Sequence, residues 1–528
     1  MIEVEAKFLI RSNEQIDQVL ATLDELGYLK VEGETGSHVD TYFDTSKFDI
    51  LRAGWTYRCR RRGGQSTLNL KAHGGHDGRV FVREEIQQPL SRDAASTLQD
   101  LPPGPVKNYL DSIVDTRRSR KLFRVASQRR VFTVTSPGSK PSQIELDVDR
   151  TKITAEKAGD KAPGSFEFME LELELTSGDP SAVDELARTL FNRLRLTPAQ
   201  FSKFDRGIQA AGLSGKALAR KRDKPIIVET DPFLDLVYVF FGRQLERMKR
   251  FQPIAWEGLD REGVHKMRIA IRRFRTILRA YRKVLGKPVV KPINRELRWL
   301  FKQLGEARDA DVGEMAIQEF IATLPGDAAR AAAPYEDHMR QKTFDAYTNL
   351  TEVFVGERYR KLMNTLDAFV AAGPDDSMKE RVGELTIAEA ADRDIRKAAR
   401  RMIKRGDRVI AESLIEKLHK LRIEAKHVRY LLDFYNIAQP VRWKESINEL
   451  DKLQDLLGWH QDAVMSRERL EAYHDTLPIA GEDCALRLSI DRLISTENER
   501  MESCRRKLPV AWRRFKMVFE RPTFLLPP

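Results

Sequence analysis

The chain has 528 residues, 41% of them apolar and 32% charged, and carries a net charge of +12. That length excludes a single hydrophobic core, and the absence of any run of about 18 apolar residues, or of a basic-then-apolar N-terminus, argues against a membrane-spanning helix and a secretion signal. Three scattered cysteines (Cys59, Cys484, Cys504) argue against a disulfide framework and a zinc site, so the expectation is a cytoplasmic protein.

The charge is unevenly placed. Residues 1–210 hold 31 basic and 31 acidic side chains, so the whole excess, 60 against 48, falls in 211–528. A neutral first unit is therefore followed by a basic one suited to polyanions. In the first unit, period-2 alternation predicts strands over 2–9, 39–43, 55–62, 66–72, 79–86, 128–135, 142–149 and 166–175. Glycine-rich breaks such as "RRGGQ" and "AHGGHDGR" separate several of them, and amphipathic helices are predicted near 13–26 and 180–194. About eight strands in one unit predict a closed antiparallel barrel. The small and charged residues of "AGLSGKALARKRDKP" predict a linker over 211–227, beyond which the period becomes 3.6, giving an all-α domain over 228–520.

The charges sit on particular faces of the strands. In "MIEVEAKFLI", Glu3, Glu5 and Lys7 share one face, spaced by roughly 7 Å. Arg58, Arg60 and Arg62 share a face of "TYRCRRR"; Lys71, Arg83, Glu85 and one of Arg129 or Arg130 follow on later strands. Glu145, Asp147 and Asp149 align in "QIELDVDR", and Glu170, Glu172 and Glu174 in "FMELELEL". Cations and carboxylates thus occupy separate strands, unlike the mixed scatter of a solvated face. In a closed barrel these side chains either all face out or line a polar lumen. A lumen holding both signs is costly when empty, and becomes sensible when the ligand is a polyanion accompanied by a divalent cation.

The opening Glu-x-Glu-x-Lys, followed by this series of charged strands, resembles the CYTH domain of the triphosphate tunnel metalloenzymes over residues 1–208. The resemblance implies an eight-stranded barrel whose tunnel holds a triphosphate with Mg²⁺ or Mn²⁺. Matched residue by residue, it implies metal-binding carboxylates at Glu3, Glu5, Glu145, Asp147, Glu170 and Glu172. It implies phosphate-binding cations at Lys7, Arg58, Arg60, Lys71, Arg83, Arg129 and Lys203, the last on a plug-like C-terminal element. Glu3, Glu5, Lys7 and Lys71 are the residues expected to act in phosphoanhydride hydrolysis, with a carboxylate or a lysine of depressed pKa orienting or deprotonating the attacking water.

The second unit is internally repeated. "VHKMRIAIRRFRTILRAY" (264–281) aligns with "LHKLRIEAKHVRYLLDFY" (418–435) at an offset of 154, and "LGEARDADV" with "LGWHQDAV" at 153. On a helix, His265, Arg268, Arg272, Arg275 and Arg279 fall within a sector of roughly 80°, beside an apolar stripe of Val264, Met267, Ile271, Phe274 and Leu278. The second copy repeats both stripes, with His419, Arg422, Lys426 and Arg429 beside Leu418, Leu421, Ala425, Val428 and Leu432. A solvated face mixes acids with bases at i,i+4, whereas the first copy's basic stripe holds no acid and so points to an anionic partner. The twin His-Lys-x-Arg helices resemble the CHAD domain, a helical binder of inorganic polyphosphate. That resemblance implies two pseudo-symmetric bundles, 228–372 and 380–520, facing each other across a basic groove. The groove would be formed by His265, Lys266, Arg268, Arg272, Arg273 and Arg275 and by His419, Lys420, Arg422, Lys426 and Arg429. Glu424 and the pair Lys426–His427 depart from the first copy, so unequal binding is expected.

The expected protein is a metal-dependent inorganic triphosphatase with long-chain polyphosphate held by its helical domain, located in the cytoplasm or on polyphosphate granules. Its partners are inorganic triphosphate and polyphosphate, not nucleic acid, because no base-stacking aromatics interleave the stripe. Hydrolysis of an organic triphosphate such as thiamine triphosphate, class IV-type adenylate cyclase activity, and binding without catalysis are the alternatives.

Overall fold

The computed structural model describes residues 2–73, 76–77, 80–90, 101–114, 118–155, 165–211, 213, 227–323, 326–409, 415–439, 442–477 and 484–520. The chain divides into two compact units, Met1–Asp223 and Lys224–Pro528. Most of the linker expected over 211–227, and residue 79 of the fifth expected strand, lie outside the described residues.

The first unit contains strands β1 (Ile2–Ile10), β2 (Leu29–Glu32), β3 (Gly36–Thr45), β4 (Trp55–Arg62), β5 (Gln65–Ala72), β6 (His76–Asp77), β7 (Val80–Leu90), β8 (Ser119–Thr135), β9 (Gln143–Ala155), β10 (Ser165–Ser177) and β11 (Thr197–Pro198). Eight of them pair antiparallel in the order β1-β10-β9-β8-β3-β4-β5-β7, and β7 returns to β1 to close the barrel. Closure removes exposed strand edges and sends alternate side chains inward and outward. The outward residues Ala6, Phe8, Leu146, Leu171 and Leu173 are covered by helices α1 (Asn13–Glu25) and α3 (Ser181–Leu194), which contribute Ile16, Val19, Leu186 and Leu190 to one core. A helix that the periodicity did not reveal, α2 (Pro105–Ile113), covers Tyr57, Leu68 and Leu70 with Val106 and Leu110. A short helix α4 (Lys203–Ala210) starts in a capping box in which Ser202 and Asp205 satisfy each other's backbone N–H groups.

Among the described residues the second unit is built of helices. Its helices of eight residues or more are α5 (Phe233–Glu257), α6 (Glu262–Ala280), α7 (Lys287–Ile321), α8 (Gly326–Val355), α9 (Glu357–Ala372), α10 (Ile387–Gly406), α11 (Ile415–Tyr435), α12 (Lys444–His474) and α13 (Cys484–Phe519). The apolar stripes of α6 and α11 are fully buried in one core that runs through both repeats. The repeats meet at equivalent residues: the hydroxyls of Tyr281 and Tyr435, 154 positions apart, lie 2.7 Å from each other and both donate to Asp394 at 2.8 Å. Among the described residues no helix is long and apolar enough to cross a membrane.

Candidate functional sites

Strand register brings the inward charges of the barrel together. Glu5 lies opposite Glu174, Lys7 opposite Glu172, Glu172 opposite Asp147, and Asp149 opposite Arg129. Glu5, Lys7, Arg83, Arg129, Asp147, Glu170, Glu172 and Lys203 are all buried. Most of their charge is met by one another. Lys7 bonds Glu172 and lies 3.1 Å from Glu5; Arg83 also pairs with Glu5, and Lys71 pairs with Glu3. Arg129 donates to both oxygens of Asp149 at 2.7 and 2.6 Å and to Glu172 at 2.8 Å, and pairs with Asp147. Arg130 points outward to Glu32, so the inward residue of this pair is Arg129. Lys203, at the first turn of α4, drives its ammonium to 2.6 Å from Asp149, 2.6 Å from Glu170 and 3.1 Å from Glu172. The cavity left among these groups is about 60 Å³.

Three inward groups were not singled out from the sequence. Asp40 on β3, fully buried, receives Arg60 at 2.8 and 2.9 Å and Arg58 at 3.1 Å, and burial is outweighed by those guanidiniums, which hold its carboxyl well below the usual range. His38 is buried beside them, and burial with Arg60 pushes it down to about 4, a neutral imidazole. His73, at the end of β5, bonds Asp205 of α4 at 2.8 Å. Glu85, a weaker candidate in the sequence, is buried and accepts from Asn69 at 2.9 Å.

The carboxylates fall into two electrostatic classes. Asp149, Glu170 and Glu172 place oxygens within 4.8 Å of one another, the composition of a cation site, with the Lys203 ammonium beside all three. Burial works against ionisation of Glu172, yet Lys203, Lys7 and Arg129 hold it well below the carboxylate range. Asp147 and Glu174 are undercompensated. Burial and the carboxylates Glu172, Glu145 and Asp149 push Asp147 up to about 8 despite Arg129, and burial with Glu3 raises Glu174 to about 7. Asp147 Oδ1 is buried without a hydrogen-bond partner. Both carboxyls therefore hold a proton more readily than their neighbours, and the orphaned oxygen of Asp147 is one that a divalent cation would satisfy. Lys71 is shifted the other way: burial and the neighbouring Lys7 hold it below the usual lysine range although it pairs with Glu3.

In the helical unit the two basic stripes converge where α6 meets α11. Burial, then Arg272 and Arg422, push Lys426 down to about 7, and burial with Arg272 also lowers Arg268, to about 10. Phe301 of α7 supports this cluster: the guanidinium carbons of Arg268, Arg272 and Arg275 lie 4.3, 5.3 and 5.7 Å from its ring centre, and its carbonyl accepts from Arg268 at 3.1 Å. Gly305 admits Arg268, since a Cβ there would stand 2.7 Å from its Nη1. The remaining expected residues are placed differently. Arg273 is tied to Asp433 at 2.6 Å and Arg429 to Asp451 at 2.6 Å and to Asp433, while Lys266 pairs with Glu262 at 3.0 Å on the surface. His265 is half-buried; His419 and Lys420 are exposed, with His419 Nδ1 2.7 Å from Gln461. Glu424, which the repeat alignment sets opposite Ala270, is buried and turned to Arg401 and Arg405 of α10, at 2.5 and 2.6 Å.

Comparison with known proteins assigns both units. The model of the CYTH domain matches residues 1–208 and that of the CHAD domain residues 240–471. An uncharacterised protein of Mycobacterium tuberculosis is 28% identical over 502 residues, covering 92% of this chain and 91% of the relative. Among solved structures, the CHAD domain from the plant Ricinus communis is 22% identical, with a TM-score of 0.45 over 54% of this chain and 93% of that one. A Hippeastrum protein described as a putative adenylyl cyclase with a dominant triphosphatase activity is 18% identical, with a TM-score of 0.26 over 40% and 96%.

Proposed function

The chain belongs to the CYTH family over residues 1–208 and to the CHAD family over 240–471, and from that premise we propose that the barrel hydrolyses inorganic triphosphate to pyrophosphate and orthophosphate while the helical unit binds long-chain polyphosphate. The observation that carries the first half is the closed circuit of buried cations and carboxylates inside the barrel. In a cavity of about 60 Å³ a triphosphate enters by exchange: its oxygens replace carboxylates as partners of Lys7, Arg58, Lys71, Arg83 and Arg129. The carboxylates so released, together with Asp147 and Glu174, whose protons the cation would displace, would hold Mg²⁺ or Mn²⁺, with Glu3 beside Glu174. When bound, the metal would neutralise phosphoryl charge and lower the pKa of a coordinated water. The cations fix the chain for in-line attack, and Lys203 holds the Asp149–Glu170–Glu172 group in place. Burial and the neighbouring Lys7 lower the pKa of Lys71, the direction that favours a proton acceptor.

The test is orthophosphate release from inorganic triphosphate, thiamine triphosphate and ATP by the full chain, with Mg²⁺ or Mn²⁺ and with EDTA. Fastest release from inorganic triphosphate, abolished by EDTA, is expected. Preference for thiamine triphosphate, or cyclic AMP with pyrophosphate from ATP, would replace this reading.

For the helical unit, the convergence of Arg268, Arg272, Arg422 and Lys426 supports polyphosphate binding. Lys426 is charged below about pH 7 and neutral above it, and a long chain's internal phosphates stay ionised throughout. Affinity is therefore expected to rise as pH falls from 8 to 6, by up to about tenfold. His265, lowered by burial and Arg308, contributes in the same direction at lower pH. Lys426→Arg, measured by binding titration across that range in EDTA, should flatten the profile; an unchanged slope would remove Lys426 from the site.

A further inference from the structure

The two repeats share the cation cluster at their junction but differ on either side of it. Three cations of the first repeat have acids at the equivalent positions of the second: Arg279 answers to Asp433, Arg298 to Asp451 and Lys302 to Asp455. The leucines at 297, 300 and 304 and Gly305 align with those at 450, 453 and 457 and Gly458, so the register is secure. The structure shows what the inversion does. Arg429, the counterpart of Arg275, is consumed by Asp451 and Asp433, and Asp433 also takes Arg273 at 2.6 Å. On the first repeat, Arg275 donates to the neutral Asn294 at 3.2 Å, and no carboxylate partner is found for Arg279, Arg298 or Lys302 among the described residues. Arg268, Arg275, Arg298 and Lys302 line a cleft of about 650 Å³ together with Phe301 and two acids, Glu306 and Asp309. Burial and the neighbouring cations Arg279, Arg298 and Arg272 lower Arg275, the signature of positive charge gathered without a counterion.

We infer that the polyphosphate site is one-sided: the polymer is gripped at the junction by both repeats and runs from there over the first repeat only, along the cleft between α6 and α7. The acids of the second repeat repel a continuing chain and hold its arginines in internal pairs. This rests on the polyphosphate reading above and adds a direction to it. A short chain confined to the junction is indifferent to the flanks, whereas a long one depends on the first flank.

The test compares full-length wild type, Arg298→Asp/Lys302→Asp and Asp455→Lys in EDTA, using long-chain inorganic polyphosphate and inorganic triphosphate as probes. Arg298, Lys302 and Asp455 are exposed, so the fold should survive, and the helical circular-dichroism signal with its melting temperature serves as the check that it does. The double variant is expected to bind long-chain polyphosphate at least tenfold more weakly with triphosphate binding unchanged, while Asp455→Lys tightens the long chain. A double variant within twofold of wild type, or one that weakens both probes equally, would overturn the one-sided path while leaving polyphosphate binding itself intact. Wild type that binds no long-chain polyphosphate would instead bring down the reading on which it rests.

Discussion

Glu5→Gln is expected to lower phosphate release from inorganic triphosphate by roughly 10³-fold, about 4 kcal/mol of transition-state stabilisation, at saturating metal. Glu5 is 2% exposed and three cations converge on it: Arg83, Lys7 at 3.1 Å and Lys71 at 3.4 Å. The amide keeps the shape of the carboxyl but supplies one acceptor oxygen in place of two and turns an N–H group toward a cation. The empty barrel should therefore lose stability as well, since Lys7, Lys71 and Arg83 are left short of negative charge inside it. Triphosphate supplies that charge. The variant's Tm is accordingly expected to rise on adding triphosphate by more than the wild type's, although it turns over poorly. Loss of activity with no change in Tm response would mean that Glu5 acts on the reaction without belonging to the internal charge circuit.

How far this arrangement was legible depended on whether it was local. The alternation in β1, β4, β5 and β10 placed their charges on one face without reference to any partner, and the strands expected over 55–62 and 66–72 match β4 and β5 within one residue. By contrast β8 begins at Ser119, nine residues before the expected start. Its pairing with β3 slips between Tyr42 and Phe43, so that Leu122 interrupts the register and both Leu122 and Phe123 are buried. A bulge of this kind breaks the period-2 signal that sequence analysis relies on. Asp40 escaped notice for a different reason. It is the single acid within the strand expected over 39–43, which has no charge series, and only the pairing of β3 with β4, which sets it opposite Arg60, gives it a role. Glu424 shows the same limit in the helical unit. Its departure from the repeat was readable, but not that α10 supplies Arg401 and Arg405 to pair with it.

Lys203→Met tests how the barrel tolerates its own acids. The ammonium lies within 3.1 Å of Asp149, Glu170 and Glu172, and neither carboxylate oxygen of Glu170 has a hydrogen bond, although Lys203 stands 2.6 Å from one of them. Glu170 therefore depends on Lys203 for compensation more than Asp149 and Glu172 do, since both of those also bond Arg129. Methionine fills the volume of the lysine stem but leaves three carboxylates converging in a buried space. Removing one partner of a buried ionic group in this way costs about 3–5 kcal/mol, and the Tm of the barrel's transition should fall accordingly. The vacated position is then a cluster of three oxygens within 4.8 Å of one another, with the donor set of a hard-cation site. Mg²⁺ or Mn²⁺ is thus expected to raise the variant's Tm by several degrees more than that of the wild type, where Lys203 already occupies the position. Lys203→Arg, which keeps the charge, should restore most of the stability without that extra response. A Lys203→Met variant as stable as wild type and indifferent to metal would show that the three carboxyls are protonated in the barrel, and that α4 closes it by packing rather than by charge.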